Sequence, residues 1–423
     1  MKKISFFTKK DVGMGRLLFI SLVLVLGWTQ SATAARLDSW ISQQRIMAEE
    51  QILANISPAD GRPGAVLASP SRRDPDYYYH WVRDAALVMD IWMRQLEGRI
   101  TLKSDRLESE QLIWDFVEFT KINQASPSIS YLGEPKYYVD GQAYLGPWGR
   151  PQNDGPALRA SLFIRFANHL LLSGGEGVVG RALWPVIAKD LNYVGQQITQ
   201  PSFDLWEEVK GDHFYTRLTM RAALRSGATL AQRLGDNAGA AWLQTQADIV
   251  ESLLSQHVDH GRQLIVENIN RVEGANYKSG FDTATILAVL HTREQAIVSW
   301  FDPRLENTVR LLEHRFHEIY PINKNYPALG VAFGRYSEDV YYNGNPWFLT
   351  TLAVAEFYYL RGEIAKGDQY MERVRFHVAR DGHMSEQMDR HSGYMLSAAD
   401  LTWSYAAFLT AVAARDVALS KRK

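Results

Sequence analysis

The 423-residue chain contains no cysteine. That absence excludes a thiol nucleophile, thiolate metal centres, iron–sulfur clusters and every disulfide. A chain without cross-links must be stable through its core, which 46% hydrophobic residues can supply at this length. An excess of one charge is missing too. Lys and Arg number 46 against 47 Asp and Glu, a net charge of −1, so no electrostatically driven nucleic-acid partner is expected. No phosphate-cradling glycine loop, His-Glu-x-x-His or EF-hand pattern occurs, and no cofactor is indicated. The chain also lacks a fixed repeat period, a Gly/Ser/Pro linker and any alternating series long enough to suggest a sheet.

Long apolar runs are scarce. One extends from Leu17 to Trp28, after Lys2, Lys3, Lys9, Lys10 and Arg16 and before Ser31-Ala32-Thr33-Ala34-Ala35. This is the pattern of a secretory signal cleaved after Ala34. The run is short against the ~20 residues of a spanning helix, which makes an uncleaved anchor the lesser alternative. The expectation is a single catalytic domain over 35–423, secreted or periplasmic, monomeric and free of the membrane after cleavage.

What the chain does have is helical periodicity and many aromatic residues. Candidate helices cover 37–55, 83–98, 105–124, 154–173, 178–197, 213–235, 236–258, 281–291, 302–319, 345–361, 363–380 and 398–417. Asp302-Pro303 and Asn345-Pro346 read as caps followed by a first-turn proline. Connections after the even-numbered segments are short. Those after odd-numbered segments are long, at 56–82, 125–153, 198–212, 259–280, 320–344 and 381–397. Up-and-down helices with this alternation place all six long connections at one end. An all-α (α/α)6 toroid satisfies it, with an irregular helical bundle as the alternative.

Twelve Trp and twenty Tyr exceed what a core needs. The third long connection holds Phe203-Asp204-Leu205-Trp206-Glu207-Glu208-Val209, and the sixth holds Ser385-Glu386-Gln387. Glycoside hydrolysis uses two carboxyls, one protonated to cleave the bond and one ionised, with aromatic surface against the sugar. A Trp-Glu-Glu tripeptide equally suits a helix start. Adjacent residues such as Glu207 and Glu208 cannot easily face opposite sides of one bond, so an acid and a base must come from separate connections.

Five blocks carry a resemblance in order along the chain. They are Ala68-Ser69-Pro70-Ser71 through Trp81-Val82-Arg83-Asp84, Trp148 through Ala160, Asp204 through Val209, Tyr341 through Trp347, and Ser385-Glu386-Gln387. Together they resemble the glucoamylases of glycoside hydrolase family 15, over about residues 37–417. The resemblance implies the (α/α)6 fold and inverting release of β-D-glucose from the non-reducing ends of α-1,4-glucans and malto-oligosaccharides. It implies Glu207 as general acid and Glu386 as general base. Arg83 and Asp84 resemble the pair that holds the terminal glucose, Tyr77 the tyrosine beside the base, and Trp81 and Trp148 the aromatic walls. Trp347 and Tyr341 belong to an outer block, Arg335 and Glu208 resemble contacts to the leaving-group sugar, and Leu205 and Trp206 flank the acid. Each also has a plain reading: Arg83–Asp84 as a helix-start ion pair, Trp148 and Trp347 as core, Tyr77 as loop packing. Two departures from the family pattern stand near catalytic blocks, Lys210-Gly211-Asp212-His213 and His80. No starch-binding domain is recognised in the sequence, which favours soluble oligosaccharides as substrates. Glucodextranase or trehalase specificity and a non-catalytic glucan-binding role are the competing readings.

Overall fold

The 3.6-residue pattern resolves into twelve helices of at least eight residues among the described residues. These residues are 35–295 and 297–422 of a computed structural model; the expected signal segment lies outside them. The helices are α1 (residues 35–54), α2 (Val82–Leu96), α3 (Arg106–Ala125), α4 (Asp154–Leu171), α5 (Trp184–Gln196) and α6 (Phe214–Arg233). The chain continues with α7 (Asn237–Leu254), α8 (Ala284–His291), α9 (Pro303–Ile319), α10 (Phe348–Leu360), α11 (Ile364–His377) and α12 (Thr402–Ser420). Packing divides the chain into two units, 1–45 and 46–423, and the second carries the helical ring and its connections.

Within that unit the even-numbered helices pack in succession, α2 on α4, α4 on α6, and so on to α12, which returns to α2. They close a ring, and the odd-numbered helices alternate with them in the chain. Burial follows the layer. In α10 the stretch Phe348–Tyr359 is buried on every side, as an inner-ring helix must be. In the outer α9 only Leu305, Thr308, Val309, Leu312 and Phe316 are buried, one stripe at helical spacing. The fold is the expected (α/α)6 barrel. A bidentate ion pair between Arg159 of α4 and Asp190 of α5, at 2.7 and 2.8 Å, joins the two layers. Gln124 of α3 donates to the same carboxylate, so the buried charges are hydrogen-bonded as well as paired.

Three sequence expectations need correction. Asp302 caps α9, accepting from Arg304 N at 2.8 Å, but Asn345 does not cap α10, which starts at Phe348. Asn345 instead cross-links two connections, donating to Gln387 Oε1 at 3.1 Å and accepting from Arg390 N at 3.1 Å. Regular α5 begins at Trp184, after a π-helical turn at Val179–Leu183, because Pro185 brings no N–H to the first turn. A sheet is also present. Ser202–Phe203, Val209–His213 and Asn268–Gly274 form three antiparallel strands, built from two long connections. The Lys210–His213 departure is therefore a strand. Gly274, at φ +91°, lets this sheet pass the Glu208 carbonyl, which a Cβ there would meet at 1.9 Å.

Candidate active site

All six long connections lead into the N-terminal ends of inner helices. One cavity of about 700 Å³ is lined from five of them, all but the fourth, and is within the range of small-ligand sites. It is lined by Tyr77, Trp81, Arg83, Asp84, Trp148, Leu205, Trp206, Glu207, Glu208, Arg335, Tyr341, Trp347 and Glu386, every site residue expected from the sequence. The inner helices begin at this end, so their dipoles present positive ends toward the cavity and favour the carboxylates there.

Glu207 stands at the tip of the hairpin made by Ser202–Phe203 and Val209–His213. Its backbone is left-handed, φ +66°, a conformation that costs a non-glycine residue about 1–2 kcal/mol. Asp204 holds the tip from inside, its Oδ1 accepting from Glu208 N at 2.7 Å and Val209 N at 3.0 Å. The Glu207 carboxyl is clamped by side chains from other connections. Trp81 Nε1 (2.8 Å) and Gln152 Nε2 (3.0 Å) donate to Oε1, and Trp148 Nε1 (2.9 Å) donates to Oε2. Arg83 Nη2 lies 3.6 Å from Oε1. With only one donor, Oε2 keeps an acceptor position where a proton can reside.

Glu386 is held differently. It is 1% exposed, and its Oε2 accepts from Ser397 Oγ (2.5 Å) and from the adjoining Gln387 Nε2 (2.8 Å). Burial pushes its pKa up to about 6, against these two hydrogen bonds, the Tyr77 hydroxyl and the Arg335 charge. Tyr77 and Tyr341 are linked through their hydroxyls at 3.0 Å.

Arg83 Nη1 is committed to Gln152 Oε1 (2.9 Å) and Asp154 Oδ2 (3.0 Å). Arg83 Nε and Asp84 Oδ2 stand 3.5 Å apart, and both are buried without a hydrogen-bond partner. Burial raises Asp84 to about 6 despite the neighbouring guanidinium. Arg83 Nε and Asp84 Oδ2 face each other and are closed to the cavity, while the Asp84 side chain keeps 15% of its surface exposed there.

On another side of the cavity, Glu208 accepts from Arg335 Nη2 (2.7 Å) and the Tyr336 hydroxyl (2.5 Å). Arg335 is also fixed by Asp339, at 2.7 Å from Nε, and its guanidinium lies near the rings of Trp206, Tyr341 and Trp347. Trp206 Nε1 donates to Asp282 at 2.9 and 3.1 Å.

Several groups that build the site carry no mark in the sequence. Lys136, 3% exposed, places its ammonium 3.9 Å from the Trp148 ring, 3.8 Å from Tyr79, 4.5 Å from Tyr144 and 4.6 Å from Trp81. Burial lowers it to about 8. Lys278, Asp282, Tyr336 and Ser397 are likewise given no role by sequence reasoning, and Gln152 and Asp154, though inside the block Trp148 through Ala160, are given none either. No local signal marks a lysine that tertiary packing buries. His80, in contrast, is a core residue. It is fully buried against Phe116 and Phe119, and its Nδ1 accepts from Val66 N at 3.1 Å.

Comparison with known proteins agrees with this geometry. Glucoamylase-1 of Schizophyllum commune is 35% identical over 472 residues, spanning 96% of this chain and 79% of its own. A probable glucoamylase of Schizosaccharomyces pombe is 34% identical, spanning 94% of this chain and 96% of its own. Among solved structures, the glucoamylase of Saccharomycopsis fibuligera superposes with a TM-score of 0.84 at 28% identity, over 91% of this chain and 96% of that one. The family 15 glucoamylase of Hypocrea jecorina gives 0.83 at 32%, over 90% and 72%. The sequence profile described as Glycosyl hydrolases family 15 matches residues 44–368 and 362–413, and the chain belongs to that family.

Proposed function

We propose that this chain is a glucan 1,4-α-glucosidase that removes glucose from the non-reducing ends of α-1,4-glucans and malto-oligosaccharides with inversion. Glu207 gives its proton to the glycosidic oxygen as the bond to C1 breaks. A water attacks C1 from the opposite face and passes a proton to Glu386, leaving β-D-glucose. Solvent exchange then restores both carboxyls. The observation that carries this reading is the pair of carboxyls from separate connections, lining one cavity together with Arg83 and Asp84. The Arg83 and Asp84 side chains suit the hydroxyls of a terminal glucose, and Arg335 and Glu208 suit the leaving-group sugar. A raised Glu386 is a stronger base toward water once ionised, as it is above about pH 6. We also propose that the protein acts outside the cytoplasm, in keeping with the leader expected in residues 1–34.

The test is the product formed from maltopentaose, with isomaltotriose and trehalose as competing substrates. Glucose appearing first as the β-anomer, one unit at a time, is expected. Preference for isomaltotriose or trehalose would transfer the site to another specificity. Internal cleavage would overturn the chain-end reading.

A further inference from the structure

Lys278 lies in the fourth long connection, between the strand Asn268–Gly274 and α8. It is 4% exposed, and it stands behind the cavity instead of lining it. Its ammonium is 2.7 Å from Asp204 Oδ2 and 3.1 Å from Glu208 Oε2, and 4.0 Å from the centre of the Tyr336 ring. Through Asp204 it supports the hairpin tip, because the other oxygen of that carboxylate accepts the backbone N–H groups of Glu208 and Val209. Through Glu208 it touches a group of the cavity wall directly. Neutralising Asp204 would be enough for a purely structural lysine. The second ion pair, to an acid that faces the cavity, has no role in the core.

We propose that Lys278 is a positioning residue for the leaving-group side of the site, setting the Glu208 carboxylate so that the departing sugar is held in register with the acid. The inference rests on the proposed glucosidase function. Three groups converge on Glu208, from Arg335, Tyr336 and Lys278, and the last two share Oε2. Loss of Lys278 leaves Oε2 to Tyr336 alone and frees the carboxylate to turn toward Arg335. Burial disfavours the ammonium, but Asp204, Asp282 and Glu208 outweigh it and keep the charge in place.

The experiment compares maltose, which has a departing sugar, with α-D-glucosyl fluoride, which has none. Lys278→Met should lower kcat/KM on maltose by about 10–100-fold, the value of one charge-assisted hydrogen bond, and leave glucosyl fluoride within about threefold. Lys278→Arg should recover part of the maltose activity. Because Lys278→Met alone leaves Asp204 buried and unpaired, a second variant, Asp204→Asn with Lys278→Met, removes both charges. It keeps an oxygen for the tip N–H groups. The same split between the two substrates is expected from it. Equal loss on both substrates in the double variant, or undiminished maltose hydrolysis, overturns the proposal. A wild-type chain inactive on both substrates overturns the glucosidase reading itself, and the role of Lys278 with it.

Discussion

Glu207 and Glu386 reach one cavity by different means. Glu207 sits on a hairpin tip with its side chain 18% exposed, and its carboxyl is clamped by three N–H donors from the first two long connections. Glu386 is 1% exposed and is held by its own connection, through Gln387 and Ser397. The first arrangement fixes direction and leaves one oxygen position open toward a sugar. The second withdraws the group from water and lets burial, opposed by two hydrogen bonds, set its proton affinity. A proton donor to an incoming ligand needs aim, and a base acting on one bound water needs a tuned environment. The two carboxyls divide these requirements.

The largest effect expected is from removing either carboxyl. Glu207→Gln and Glu386→Gln should each lower kcat on maltose by about 10²–10⁴ or more. The comparison sharpens on α-glucosyl fluoride, whose leaving group needs little proton donation: Glu207→Gln should regain turnover there unaided, and Glu386→Gln only with an added small nucleophile. Rescue of both variants alike would erase the distinction drawn between them. Next comes the wall that both carboxyls serve. Asp84→Ala removes a carboxylate of that wall, leaves Arg83 to Asp154 and Gln152, and should reduce kcat/KM by about 10²-fold or more across maltose to maltoheptaose. A loss confined to long chains would place the terminal glucose elsewhere.

A smaller effect isolates the clamp. Trp148→Phe keeps the ring but deletes the N–H given to Glu207 Oε2, and should cost about 10–100-fold in kcat with little change in KM. A rise in KM with kcat unchanged would mean that the indole serves binding alone. The smallest effect is thermodynamic. In the folded chain Glu386 binds its proton more tightly than the ordinary value of 4.5, at about 6. The stability this contributes is present below about pH 4.5 and lost as pH rises through about 6. Glu386→Gln stays neutral throughout. Its Tm relative to wild type should therefore climb over that window, by the equivalent of on the order of 2 kcal/mol, and level off above it. A difference that does not vary with pH would remove burial as the source of the raised proton affinity.

The helices are legible in the sequence because apolar spacing is a local signal, as in α9, and the thirteen expected residues that line the cavity come from short blocks whose order resembles a known family. The sheet is not. Its longest strand, Asn268–Gly274, exposes most of its side chains, so it carries no strong apolar alternation. Asn345 reads as a cap because Asn-Pro suits one, yet its side chain is committed to Gln387 and Arg390, partners more than forty residues away. Lys136 and Lys278 carry no local mark of burial. Only the folded chain surrounds one with rings and the other with carboxylates.

The ring of inner helices closes between α12 and α2, at opposite ends of the chain. Thr402 N donates to Ala68 O at 2.9 Å, and Asn55 Nδ2 to Thr402 Oγ1 at 2.9 Å across 347 residues. Tyr77 through Asp84, made early in synthesis, therefore share a cavity with Leu401 and Trp403, made almost last. A chain growing from its N-terminus has no finished catalytic cavity until its final helix docks, and contacts of such sequence separation form late. Activity should accordingly appear with completion of the polypeptide and not by degrees.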